Sequence, residues 1–218
     1  MQTEAPGETT EGDAAAVDGR VTPPDRSRYF LFGEMLIFSI VSLVASFVLS
    51  YDALVLAGNP DAELACSINA IFDCAKVGLT PQANVFGFPN AFLGLISEPV
   101  VMTIAVLGLS RIRFPKWFMF TANIFYFLGV VFAYWLLFQS TFVIGALCPW
   151  CLTVTLATTF VFFSMTQWNI LEGNLYLPPA ALEKARAFVK AGWMTIVLIA
   201  WLAAVVLLEV LKWGFFLF

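Results

Sequence analysis

Residues 146–165 read "ALCPWCLTVTLATTFVFFSM": Cys148 and Cys151, two residues apart, stand at the head of a long apolar run. A run of about 20 such residues is what a helix needs to cross the hydrocarbon core of a bilayer. The rest of the chain agrees, since 61% of its 218 residues are hydrophobic and only 12% charged. With a mean hydropathy of +0.87, this is the composition of an integral membrane protein.

Four further apolar stretches have the required length. The expected spans are 29–50, 90–110, 117–139, 149–168 and 192–211. Between the first two lies a polar connection, 51–89, too long for a tight turn. The first 25 residues crowd six acids (Glu4, Glu8, Glu11, Asp13, Asp18 and Asp25) among Ala, Gly, Thr and Pro. Residues 1–28 are therefore expected to be a solvated, disordered tail, without the basic start and apolar segment of a secretory signal.

Basic residues orient the spans. Arg20, Arg26, Arg28, Arg111, Arg113, Lys116, Lys184, Arg186 and Lys190, nine of eleven, share one side if the N-terminus is cytoplasmic. The connection 51–89, the head of the fourth span and the C-terminus then face outward. All four cysteines (Cys66, Cys74, Cys148 and Cys151) fall on that outer, oxidising side.

Two cysteine pairs on one membrane face point to a relay in which a loop cysteine exchanges with the Cys-x-x-Cys pair. Pro149 suits the first turn of a helix, with Cys148 near its N-cap and Cys151 one turn in, where free N–H groups favour a thiolate. Structural disulfides stapling the outer loops, or a four-thiolate zinc knuckle, are the competing readings, although no metal is expected. The chain contains no His, so hydrolysis by a Cys–His or Ser–His pair is excluded. No nucleotide fingerprint and no Cys-x-x-Cys-His haem site is present, and no nucleic-acid partner is expected. A dithiol at a membrane edge needs an acceptor for two electrons, and a lipid-soluble quinone is the natural one.

Three motifs in order, "CSINAIFDC" (66–74), "FGFPNAFLGL" (86–95) and "CPWC" (148–151), resemble the vitamin K epoxide reductase family, in particular its bacterial disulfide-forming branch. The resemblance covers roughly residues 29–168 and implies a fold: an all-α four-helix transmembrane bundle, with a fifth transmembrane helix and an outer loop capping a quinone site. The expected division is a tail 1–28, a catalytic domain 29–168 with outer loop 51–89, a cytoplasmic connection 169–191 and a fifth helix 192–218. Many bacterial members carry a fused thioredoxin-like domain. This chain stops at Phe218, so the resemblance implies a separate, exported thioredoxin-fold dithiol partner and a place in the bacterial inner or cell membrane.

By similarity, Cys148 exchanges with a loop cysteine, and Cys151 acts on the quinone, menaquinone or ubiquinone. Asn90 matches the asparagine that bonds a quinone carbonyl, and Thr80 the family's hydroxyl residue. Thr155 stands where the animal enzymes have a tyrosine, which favours quinone reduction over epoxide reduction. Other readings stay open. Asn90 suits a helix cap, Thr80 before Pro81 suits turn chemistry, and Phe86, a candidate wall of the quinone pocket, suits packing. Glu98, midway along the second span, is a candidate proton relay or a protonated side chain bonded to a neighbouring helix. An enzyme of this kind is the primary expectation; a vitamin K epoxide reductase proper, or a non-catalytic membrane adaptor with structural disulfides, are the alternatives.

Overall fold

The computed structural model describes residues 23–217. Of the expected tail, residues 1–22 lie outside this range, and Asp25–Arg28 are already helical. The first helix, α1 (Asp25–Gly58), thus overruns the apolar stretch at both ends. Its 34 residues extend about 51 Å at 1.5 Å per residue, well beyond a ~30 Å hydrocarbon core. Tyr51–Gly58, expected as loop, prolongs α1 toward the cysteines because Ala53–Leu56 continue its apolar pattern. The helix stops where Asn59 precedes Pro60.

The connection 51–89 then holds a short helix, α2 (Cys74–Gly78), and a 3₁₀ turn, Pro81–Asn84. Helix α3 (Ala91–Leu109) returns through the bundle, and α4 (Lys116–Phe138) runs back toward the cysteine end and continues as a π turn, Gln139–Ile144. Helix α5 (Pro149–Glu172) opens at the Cys-x-x-Cys pair. The connection 169–191 also contains an unexpected amphipathic helix, α6 (Pro179–Lys190), ahead of α7 (Trp193–Leu217). Five of these helices, α1, α3, α4 with its π turn, α5 and α7, are long and apolar enough to cross a membrane. Among the described residues there is no strand, only one isolated bridge.

Helix α1 is central, packed between α3 and α5, while α4 leans on α5 and α7 lies at the periphery. Small residues permit the close approach: Ser39, Ser42, Ser46 and Ser50 recur on one buried face of α1. A Cβ at Gly94 of α3 would collide with Ser46, and one at Gly108 with the ring of Phe32. At the basic end Phe32, Met35, Ile104, Met119, Met165 and Trp168 form the core, with buried Arg28 over the Trp168 ring at 5.0 Å and donating to Gly108 O at 3.3 Å. A second cluster, Leu56, Leu64, Cys66, Cys74 and Cys148, lies beneath the outer loop. In contrast, α3 and α4 scarcely touch, which leaves room for a cavity between them.

Candidate functional site

Cysteines 74 residues apart meet because two backbone segments pair. Leu147 N–H donates to Ile71 O (2.7 Å) and Asp73 N–H to Leu147 O (2.9 Å), a parallel bridge of Phe72 with Leu147, two residues before Cys74 and one before Cys148. Lys76 Nζ adds a bond to Gly145 O at 3.1 Å, and Gly145, at φ +66°, supplies the left-handed turn that ends the π segment. On the loop side, Asp73 caps α2 by accepting from Lys76 N–H (3.1 Å) and from the Ser67 hydroxyl (2.7 Å).

Cys66 and Cys74 form a disulfide, whereas Cys148 and Cys151 are free thiols. Cys148 Sγ lies 3.4 Å from Cys74 Sγ, and both residues are buried. Cys148 is the N-cap of α5, Pro149 takes the first turn, and Cys151 N–H donates to Cys148 Sγ at 3.4 Å. Hydrogen bonding from the Cys151 thiol holds Cys148 below the usual thiol range. Burial opposes this, the N–H groups of Cys151 and Trp150 reinforce it, and the charge of Asp52 opposes it. The head of α5 therefore stabilises a thiolate beside a disulfide, which is the arrangement that thiol exchange requires.

Beneath the cysteines lies a cavity of about 1110 Å³, walled mostly by apolar side chains of α1, α3, α4 and α5 and roofed by the outer loop. Cys74, Cys148, Cys151, Asn90, Thr80, Phe86, Thr155 and Glu98 all contribute to its lining, so every sequence-predicted position except Cys66 reaches it.

Their contacts refine the individual expectations. Asn90 stands at the N-cap position of α3 but makes no capping bond. Instead its Nδ2 donates to Gln82 O (2.7 Å) and its Oδ1 accepts from Val85 N–H (3.1 Å), clamping the turn above the cavity. Thr80 Oγ1 donates to Val77 O at 2.7 Å, which is turn chemistry. Thr155 Oγ1 donates to Cys151 O at 2.9 Å, one turn back in its own helix. Phe86 is 55% exposed and its ring lies 5.5 Å from that of Phe132 across the mouth of the cavity.

Glu98 is only 3% exposed. Ser42 of α1 donates to its Oε1 at 2.9 Å, and the Tyr126 hydroxyl of α4 reaches both carboxyl oxygens at 3.1 and 3.2 Å. The carboxyl thus links three helices at the cavity wall. Ser42 and Tyr126 were not foreseen; the three- and four-residue spacing of the α1 serines was the available signal for the first. Asp52, on the outward extension of α1, was also missed. It lines the cavity and its Oδ2 lies 3.7 Å from Cys66 Sγ.

No curated protein matches the chain. The model of the vitamin K epoxide reductase family matches residues 34–166, which include the outer loop and both cysteine pairs. That family comprises quinone-linked thiol oxidoreductases, and the match spans more than half of the 218 residues. The chain is accordingly an integral membrane oxidoreductase and belongs to the vitamin K epoxide reductase family.

Proposed function

We propose that the protein forms disulfides in exported proteins by passing electrons from a partner dithiol, through Cys66/Cys74 and then Cys148/Cys151, to a membrane quinone. The observation that carries this reading is the 3.4 Å approach of Cys148 Sγ to Cys74 Sγ at the mouth of an apolar cavity. A partner thiolate reduces the Cys66–Cys74 disulfide and leaves oxidised itself. Cys74 then attacks Cys148 of an oxidised Cys148–Cys151 pair and frees Cys151. Cys66 in turn attacks Cys74, restoring the loop disulfide and releasing Cys148, so two electrons have moved inward at each transfer.

The residues around the cavity fit a quinone. Its walls are apolar, its gap between α3 and α4 faces the lipid through Ile96 and Phe125, 69% and 70% exposed, and its polar groups are few and convergent. A bound quinone would supply a two-electron, two-proton acceptor. Cys151, one turn inside the cavity, is the thiol that delivers the electrons. Asn90 keeps one Nδ2 hydrogen beyond its bond to Gln82 O, available to a carbonyl oxygen, and Phe86 closes the mouth. Glu98, with Ser42 and Tyr126, holds an exchangeable proton on the cavity wall. Thr80 and Thr155 shape the cavity while their hydroxyls serve the backbone. Thr155 in place of a tyrosine supports plain quinone reduction over epoxide chemistry.

The nine basic residues support a cytoplasmic N-terminus, in a bacterial inner or cell membrane, with the cysteines outside. We assign the catalytic unit to 29–168, its outer loop to 51–89, the cytoplasmic connection to 169–191 and the peripheral helix to 192–218. The partner is a separate thioredoxin-fold dithiol protein. The test is anaerobic reduction of menaquinone or ubiquinone analogues by such a reduced protein, with the purified chain in detergent. Turnover that disappears in the single variants Cys66→Ser, Cys74→Ser, Cys148→Ser and Cys151→Ser supports the proposal. Cysteines that never change redox state on addition of partner and quinone would leave an adaptor with structural disulfides, and turnover of the epoxide alone would leave an epoxide reductase.

A further inference from the structure

The relay contains a proton problem. When Cys66 attacks Cys74 of a Cys74–Cys148 mixed disulfide, it must do so as a thiolate, and an ordinary thiol near neutral pH is largely protonated. The chain has no His to take that proton.

Asp52 stands where it can. The outward extension of α1 brings its Oδ2 to 3.7 Å from Cys66 Sγ, within hydrogen-bonding distance for sulfur. The side chain is half-buried, and among the described residues it has no other side-chain hydrogen bond or ion pair. Of the other carboxylates in the connection 51–89, Asp61 and Glu63 are exposed, and Asp73 is already committed: the Ser67 hydroxyl and Lys76 N–H both donate to it. Lys76 is engaged with Gly145 O. The titratable groups set against Asp52 are Cys66 from the loop and Cys148 from the head of α5, and Cys74 and Cys151 line the same cavity.

We propose that Asp52 is the general base and acid for Cys66 in the exchange of the loop disulfide. In the forward direction the Asp52 carboxylate accepts the Cys66 proton as Cys66 Sγ bonds to Cys74 Sγ and the Cys74–Cys148 bond breaks. The products are the Cys66–Cys74 disulfide, a neutral Asp52 and a Cys148 thiolate; one negative charge has passed from Asp52 to Cys148, with no external oxidant or reductant. The charge transfer helps in a second way. The Asp52 carboxylate opposes a Cys148 thiolate, and that opposition vanishes as the proton arrives, while Cys151 N–H is already aimed at Cys148 Sγ. In reverse, the neutral Asp52 protonates the departing Cys66 thiolate.

This proposal rests on the relay described above, and its test needs neither quinone nor partner. In the full chain carrying Cys151→Ser, a single disulfide is shared among Cys66, Cys74 and Cys148. The chain is prepared with the Cys66–Cys74 disulfide formed and held at about pH 4, where exchange is stalled, then jumped to a value between about pH 6 and 8.5, and relaxation toward the Cys74–Cys148 disulfide is followed by acid quench and alkylation with a gel-shifting maleimide. With Asp52 present the rate should be nearly flat over this range. Asp52→Asn, which keeps the side-chain shape, should relax about a hundredfold more slowly at neutral pH. It should recover about tenfold for each pH unit, as the thiolate fraction of an unassisted thiol rises with pH. Relaxation of Asp52→Asn at the unmodified rate, or slowing by one constant factor at every pH, overturns the proposal while leaving the relay intact. If no Cys74–Cys148 disulfide forms even with Asp52 present, the relay itself falls, and this role for Asp52 with it.

Discussion

Replacing Asn90 by Ala separates a structural clamp from a quinone ligand, because the two roles predict different magnitudes in different half-reactions. The side chain makes two bonds to the backbone of the turn over the cavity, to Gln82 O at 2.7 Å and from Val85 N–H at 3.1 Å. At about 0.5–1.5 kcal/mol per bond, their loss should cost roughly 1–3 kcal/mol of local stability. A donor aimed at an oxygen where charge develops is worth more to the rate, about 2.7–4 kcal/mol, or 10²–10³-fold. We expect Asn90→Ala to lower quinone reduction by about a hundredfold or more, while exchange among Cys66, Cys74 and Cys148 continues, because the bridge between Leu147 and the loop does not involve residue 90. Asn90→Asp keeps an acceptor for Val85 N–H but sets a carboxylate against Gln82 O and against the developing oxyanion, so it should be at least as damaging. The assay is stopped-flow measurement of the two half-reactions in purified variants, alongside thermal unfolding. Unchanged quinone reduction in Asn90→Ala, accompanied only by a lower unfolding temperature, would make the residue a clamp and nothing more.

Further outcomes follow from the same geometry. Cys151→Ser should accumulate a Cys74–Cys148 mixed disulfide, whereas Cys148→Ser should accumulate no loop-to-helix disulfide; equal trapping in both refutes the assignment of Cys148 as the exchanging thiol. Glu98→Leu leaves the buried Ser42 and Tyr126 hydroxyls without an acceptor and should destabilise the bundle by about 1–3 kcal/mol for each. Glu98→Gln keeps an acceptor and should fold normally, yet it should slow quinone reduction by about a hundredfold if the carboxyl supplies a proton; a full rate removes it from the proton path. A membrane-impermeant thiol reagent should label reduced Cys66 or Cys74 in intact cells, and labelling that needs an opened membrane reverses the orientation. At Asp73, burial raises the pKa, but the Ser67 hydroxyl, the N–H groups of Lys76 and Ala75 and the Lys76 charge outweigh it and hold the carboxyl below its usual range. A depressed carboxylate stabilises the fold above its unfolded pKa and loses that contribution as pH falls through the folded one. Phosphine reduction of the loop disulfide, taken relative to an unstructured peptide disulfide at the same pH, should therefore be steady from about pH 7 to 5 and accelerate below about pH 4; a flat relative profile contradicts the cap's role.

How much of this was legible in the sequence depends on the range of the interaction. Span number and type follow from runs of apolar residues, which is local information, so the five membrane helices were read correctly and their ends only approximately. The end of α1 shows why. Tyr51 and Asp52 look like the edge of a span, yet Ala53–Leu56 keep the helical pattern, and a helix leaving the bilayer persists until Asn59–Pro60 stops it. The π turn at Gln139–Ile144 has no composition signal, since it is set by closure onto Gly145 and the Ser140 contact with Ala146 O. The bonds of Glu98 to Ser42 and Tyr126 span 56 and 28 residues, and only helix packing brings those positions to one level. Asn90 was misjudged as a possible cap for a similar reason: its position in the chain fits one, but the turn folded back above it offers better partners. The cysteine motifs named the candidate thiols without saying which two would meet. That choice is made by the backbone bridge of Leu147 with Ile71 and Asp73, which any residue types could form and no side-chain pattern announces. It sets Cys74 against Cys148 and leaves Cys66 beside Asp52, so the order of exchange proposed above rests on the register of one bridge.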